Sequence, residues 1–273
     1  MKMSEKFKIE EDGKILRRRS HSYVEERFFL MTKILDFAAI CNRKGFSEWT
    51  RILIFKKNHM KLSAKAQEIY SQVNSKDTRL GDVRKIAKEV KRDHDLAMEL
   101  WSTGAFHARQ LAILIMDKKH LTQELINDLV RDMDSHPMNE RTQIMDWLMA
   151  NQIAKGKKNI AMMESWENHS LSLLRRTFWY YQARLRWTGK TDHPNTEALL
   201  KSIESRIETE EPEVQWTMNF TAGQIGVHVS ELRSRCIAIG EKPGLHKDEM
   251  VSKGCTPNYL PDFISIEVRK LKG

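Results

Sequence analysis

From about residue 24 to residue 240 the sequence reads as one short helical segment after another, with few residues able to interrupt them. Only 12 Gly and 6 Pro punctuate 273 residues. An all-β chain needs a turn signal about every 8–12 residues, so that class is disfavoured. Apolar spacing near 100° per residue predicts helices over Val24–Ile40, Phe46–Val73 (broken near Ser63), Gly81–Arg92, Leu96–Trp101, Phe106–Met116 and Thr122–Met133. The series continues with Glu140–Ala154, Asn159–Trp166, Leu171–Trp187, Thr196–Thr209, Val214–Ile225 and Glu231–Gly240. Ser63, Thr122 and Asn195 stand where side-chain caps would start helices. The joints are brief and polar or Gly-bearing, such as Ser102-Thr103-Gly104 and Thr188-Gly189-Lys190.

Such a chain folds either as a globular bundle or as stacked helix pairs. A repeated phrase favours the stack. Leu96–Trp101 ends on Trp and is followed, after a break, by a helix with Arg109; Ile160–Trp166 ends on Trp and is followed by one with Arg175-Arg176. Stacked pairs form a solenoid with an extended concave face suited to a long ligand.

Charge is unevenly distributed. The formal net charge is +9, and residues 1–70 hold 16 Lys and Arg against 9 Asp and Glu, including Arg17-Arg18-Arg19. A basic arm of this kind neutralises phosphates with salt-dependent affinity; a solvated leader has the same composition. Residues 24–60 are expected to be helical through the stripe Phe28, Phe29, Met31, Ile34 and Leu35, with residues 1–20 mobile. No stretch reaches the roughly 18 apolar residues of a membrane span. Cys41, Cys236 and Cys255 are widely spaced, so neither a disulfide scaffold nor a zinc ribbon is indicated and a reducing cytosol is the natural compartment. The histidines are scattered without metal-ligand spacing, and no Gly-rich nucleotide loop is present. No metal or cofactor is called for.

One helix carries chemistry. Along Leu171–Trp187, Leu171, Leu174, Phe178, Tyr181 and Leu185 fall on an expected core side, with Arg176, Tyr180 and Arg184 opposite and Trp179 on the border. Alternating guanidinium and aromatic groups suit phosphate pairing and base stacking; long amphipathic side chains also line ordinary surfaces. On Glu140–Ala154, Ile144, Trp147 and Leu148 form the apolar stripe and Asp146 points away from it, as an ordinary solvated carboxylate would.

Several phrases resemble the AlkD-type DNA alkylation repair family, the HEAT-like repeat DNA glycosylases. They are Val83–Lys88, Leu96–Gly104, Gln143–Leu148 with its Asp-Trp-Leu core, Gln215–Asn219, Gln224–His228, Gly240–Lys242 and Val251–Thr256. The resemblance implies an all-α, right-handed solenoid of HEAT-like antiparallel helix pairs over residues 63–273, preceded by a basic extension over 1–62. It implies a monomer that grips double-stranded DNA in the bacterial cytosol and nucleoid. In active members the activity it implies is hydrolysis of the N-glycosidic bond of cationic 3- or 7-alkylated purines, without a metal or cofactor and without base flipping. The alternative is a silent member that binds DNA structures or serves as a scaffold.

Carried over by position, the family's catalytic Asp falls on Asp146 and its Arg on Arg176. Its two cleft Trp positions fall on Thr142 and Phe220, so one ring is lost and one is replaced. Trp147 and Trp216 lie nearby and are expected to face the core. Trp179, Tyr180, Arg184, Arg109 and Lys253 are the further candidates for DNA contact.

Overall fold

The computed structural model describes residues 62–189 and 193–272, all within the unit Lys61–Gly273. The helices expected over 24–40 and 46–60, and the mobility expected of 1–20, lie outside the described residues. Among those residues there are twelve α-helices and no strand. They are α1 (Ala64–Val73), α2 (Leu80–Val90), α3 (His94–Ser102), α4 (Phe106–Ile115), α5 (Gln123–Met133) and α6 (Met138–Asn151). Then come α7 (Lys157–Glu164), α8 (Ser172–Arg186), α9 (Thr196–Arg206), α10 (Pro212–His228), α11 (Arg233–Glu241) and α12 (Leu260–Lys272).

Each even-numbered helix packs on the next even one, from α2 through α4, α6, α8 and α10 to α12. The odd helices form a second layer, with α1 on α3 and α9 on α11. Brief joints make this possible by folding each helix back on its predecessor. The result is an all-α solenoid in which a single buried apolar cluster runs from Ala66 to Ile264. No described helix is long and apolar enough to cross a membrane.

The repeated phrase has a structural meaning. Trp101 and Trp166 are both buried, and both indoles donate to α5: Trp101 Nε1 to Asp132 Oδ2 at 3.1 Å and Trp166 Nε1 to Gln123 Oε1 at 2.7 Å. The two units clasp one helix near its two ends. In each, an arginine of the following helix ties the turn: Arg109 to the Trp101 carbonyl and Arg175 to the His169 carbonyl.

Ser63 and Thr122 cap their helices as expected, accepting from Ala66 N and Leu125 N. Asn195 does not. Its side chain is occupied by Arg186 and Gln182, so α9 begins without that cap. The main omission is α12. No helix was expected beyond Gly240; Pro261 occupies the first turn of α12, where its missing N–H costs no hydrogen bond.

α10 contains two glycines and runs beyond its expected end at Ile225 through the second of them. A Cβ at Gly223 would lie 2.8 Å from the Phe263 ring, and one at Gly226 would lie 2.9 Å from Cys236 Cβ and 2.6 Å from Ile264 Cδ1. Glycine here lets α11 and α12 approach the backbone of α10. Gly226→Ala should therefore destabilise the protein by about 1–2 kcal/mol, the cost of overpacking exceeding the gain in helix propensity. Urea unfolding measures this; an unchanged or higher midpoint would show that the interface yields freely.

Candidate nucleic-acid interface

The even layer gathers the candidate residues. Thr142 and Asp146 come from α6, Arg176, Tyr180 and Arg184 from α8, and Phe220 from α10. Asp146 and Arg176, 30 residues apart in sequence, meet as a forked ion pair. Nη1 donates to Oδ1 and Nη2 to Oδ2, the latter at 3.0 Å. The two partners are unequally exposed: 7% of the Arg176 side chain and 32% of the Asp146 side chain meet solvent. The guanidinium thus lies inside and holds a carboxylate whose remaining lone pairs reach outward. This corrects the expectation that Arg176 stands on an exposed face. Burying a guanidinium requires paired donors, and Asp146 supplies the pairing.

Tyr180 sits one helical turn on from Arg176. Its ring is flanked by two cations, with Arg176 Cζ 5.4 Å and Arg184 Cζ 5.9 Å from its centroid. Arg184 is exposed, as expected, and pairs with no carboxylate among the described residues.

Trp179 and Arg109 are corrections. Trp179 is fully buried, its carbonyl accepting from Thr221 Oγ1 at 2.8 Å, so it belongs to the α8–α10 packing and cannot reach a ligand. Arg109 is also buried. It donates to the Asp132 carbonyl at 2.8 Å and Ser135 Oγ at 3.2 Å, with Cζ 5.0 Å from the Trp101 ring. Its Nε and Nη1 donors are spent inside the protein. Lys253 is exposed in the turn before α12 and makes no hydrogen bond to the other candidates.

Thr142 turns its hydroxyl onto the Asn139 carbonyl at 3.1 Å and offers no ring. Trp147 is partly buried against the core, as expected, donating to the Gln110 carbonyl at 3.1 Å beneath Arg84. Trp216 is not a core residue. It is partly exposed and stacks on Phe220, centroids 5.5 Å apart and planes 21° apart. Trp187, just past the end of α8, meets Phe220 edge-on at 5.5 Å. Neither Trp was selected from the sequence. Spacing along α10 carried the signal for Trp216, since it lies one turn before Phe220. No comparable signal existed for Trp187. Among the described residues no group of three or more His, Cys, Asp or Glu side chains is placed to hold a metal ion.

The pairing predicts an ordered series of stabilities. Asp146→Asn keeps an oxygen for one guanidinium N–H and should cost about 1–3 kcal/mol. Asp146→Leu strands the buried charge and should cost about 3–5 kcal/mol. Denaturant unfolding of both variants gives the order, and two equal small losses would mean that Arg176 escapes to water.

Comparison with known proteins agrees with this architecture. One solved structure is similar with a TM-score of 0.53 and 16% identity, over 77% of this chain and 88% of that chain. It is described as representing a new family of proteins related to the HEAT-like repeat DNA glycosylases, with affinity for branched DNA structures. At that identity the likeness concerns the fold. Comparison with curated proteins finds no match. The family model for DNA alkylation repair enzymes matches residues 56–250. With more than half of its length covered, and with a HEAT-like fold of stacked helices, the chain belongs to the DNA alkylation repair enzyme family.

Proposed function

We propose that this protein binds double-stranded DNA and hydrolyses the N-glycosidic bond of cationic 3- or 7-alkylated purines at Asp146. The carrying observation is the Asp146–Arg176 fork, which presents an oriented, partly exposed carboxylate beside half-exposed aromatic rings. An alkylated purine already carries positive charge, so it leaves with the bonding electron pair and needs no general acid. The sugar left behind is an oxocarbenium ion. A fixed carboxylate stabilises that charge and aligns the attacking water, as electrostatic catalysis requires. Arg184, Lys253 and the basic extension over residues 1–62 would supply phosphate contacts. On this reading the chain acts as a monomer.

A second reading is DNA binding without excision. It is favoured by Thr142, whose hydroxyl is turned onto its own helix where the family resemblance places a ring. It is also favoured by Arg176, which neutralises much of the charge that Asp146 would offer. The family with affinity for branched DNA to which the similar structure belongs makes junctions a reasonable probe.

Release of 3- and 7-methylpurines from methylated DNA separates the two readings. Excision should be slow, and Asp146→Asn should lower it by roughly 10²–10³, the usual loss for one oriented electrostatic partner. Thr142→Trp with Phe220→Trp should raise it. No release, together with duplex or junction binding, selects the second reading. In either case affinity should fall steeply with salt, and Arg184→Glu should weaken it. Undetectable binding to both DNAs at low salt would overturn both readings.

A further inference from the structure

Beside the Asp146–Arg176 pair, and reaching beyond it, four aromatic rings form a continuous shelf. Phe220 is its centre. Trp216 stacks on it, Tyr180 lies 6.1 Å away with a 35° tilt, and Trp187 closes the outer end at 81°. These rings are not surplus core. The buried side of α10 is built from Val214, Met218, Thr221 and Ala222, whereas Trp216 and Phe220 remain partly exposed. Trp187 is the most exposed of the four, at 55%.

Trp187 is also held in place. Its carbonyl contacts the His228 ring nitrogen Nε2 at 3.1 Å, which ties the end of α8 to the end of α10. The turn then passes through Gly189 at φ +61°, where a Cβ would lie 2.4 Å from His228 Nδ1. Only glycine fits both that backbone conformation and that contact. With its backbone tethered and its ring set edge-on against Phe220, the exposed Trp187 indole has less freedom to lose on binding.

Charge decides the occupant. Arg184 lies over Tyr180 at the edge of the shelf, exposed and without a carboxylate partner among the described residues. An apolar peptide has no use for an unpaired guanidinium there, whereas a nucleotide supplies a π-face and a phosphate together. Bases inside an intact duplex are already stacked and offer only their edges. Resting on the DNA-binding reading, we propose that Trp187, Phe220, Trp216 and Tyr180 stack an unpaired base of DNA while Arg184 holds the adjoining phosphate. The protein then selects DNA carrying an extrahelical or unpaired nucleotide over continuous duplex.

Fluorescence anisotropy on two oligonucleotides tests this: a short duplex, and the same duplex with one unpaired 2-aminopurine. The bulged DNA should bind roughly tenfold tighter, the contribution of about one base–aromatic stack. Its 2-aminopurine emission should fall as the base meets the rings. Trp187→Ala should bring the ratio of the two affinities toward one and remove the quenching; Trp187→Phe, which keeps a ring, should restore both in part. Equal affinities with unquenched emission would overturn the shelf and leave the DNA reading standing. Failure of both oligonucleotides to bind at low salt would overturn both. A dimer that Trp187→Ala dissociates would give the shelf to a second copy of the chain and overturn the proposal.

Discussion

The close approach of α8 and α10 sets the position of the aromatic rings and of the Arg176 and Arg184 guanidinium groups. Their contact is the most extensive between any two helices of the described chain. Small and branched residues are buried along the two helices, among them Thr177, Ala183, Thr217, Thr221 and Ala222, and Thr221 Oγ1 bridges to the Trp179 carbonyl across the contact while also reaching the Thr217 carbonyl of its own helix. Large residues at these positions would push the helices apart, since a close-packed interior has no slack to absorb them. With the spacing fixed, the outer edge of α8 carries Tyr180 and Arg184, and the outer edge of α10 carries Trp216 and Phe220. The aromatic shelf is a consequence of that distance.

A second constraint is the treatment of buried charge. Arg109, Arg176, Arg186 and Glu213 are all buried, and each has partners. Glu213 accepts from Arg141 Nη2 and Ser172 Oγ, each at 2.9 Å. Arg186 pairs with no carboxylate among the described residues; Gln182, Asn195 and Thr196 accept its hydrogen bonds, and burial lowers its pKa to about 10. Arg109 is satisfied largely by carbonyls. Among the described residues, Arg176 is the buried guanidinium that forks onto both oxygens of a partly exposed carboxylate. That difference singles out the Asp146–Arg176 pair. The other buried guanidinium groups tie turns and helices together, while this one holds a carboxylate that stays partly exposed.

Much of the architecture was legible along the chain because helices are local. Their bonds join residues four apart, so apolar spacing, the Ser63 and Thr122 caps and the Gly104 joint mark them without knowledge of the fold. α12 was not among the expected helices; its first turn holds a proline, which interrupts a helix interior but suits that position. The repeated Trp-then-Arg phrase indicated a stack, and the family phrases brought Asp146 and Arg176 together across 30 residues.

The sequence by itself determined the helical class and favoured the stacked pairing, since composition and periodicity are properties of neighbouring residues, and the family resemblance supplied Asp146, Arg176 and Phe220 as candidates. Only the tertiary structure decided which of those side chains face water. Arg109 and Trp179 carry the same chemistry as Arg184 and Trp216, and a helical wheel cannot separate them. α10 encloses Trp179, and the end of α5 with its following turn encloses Arg109; neither element is adjacent in sequence to the residue it covers. Burial is a property of the partner helix, so the surface became readable only once the helices were packed.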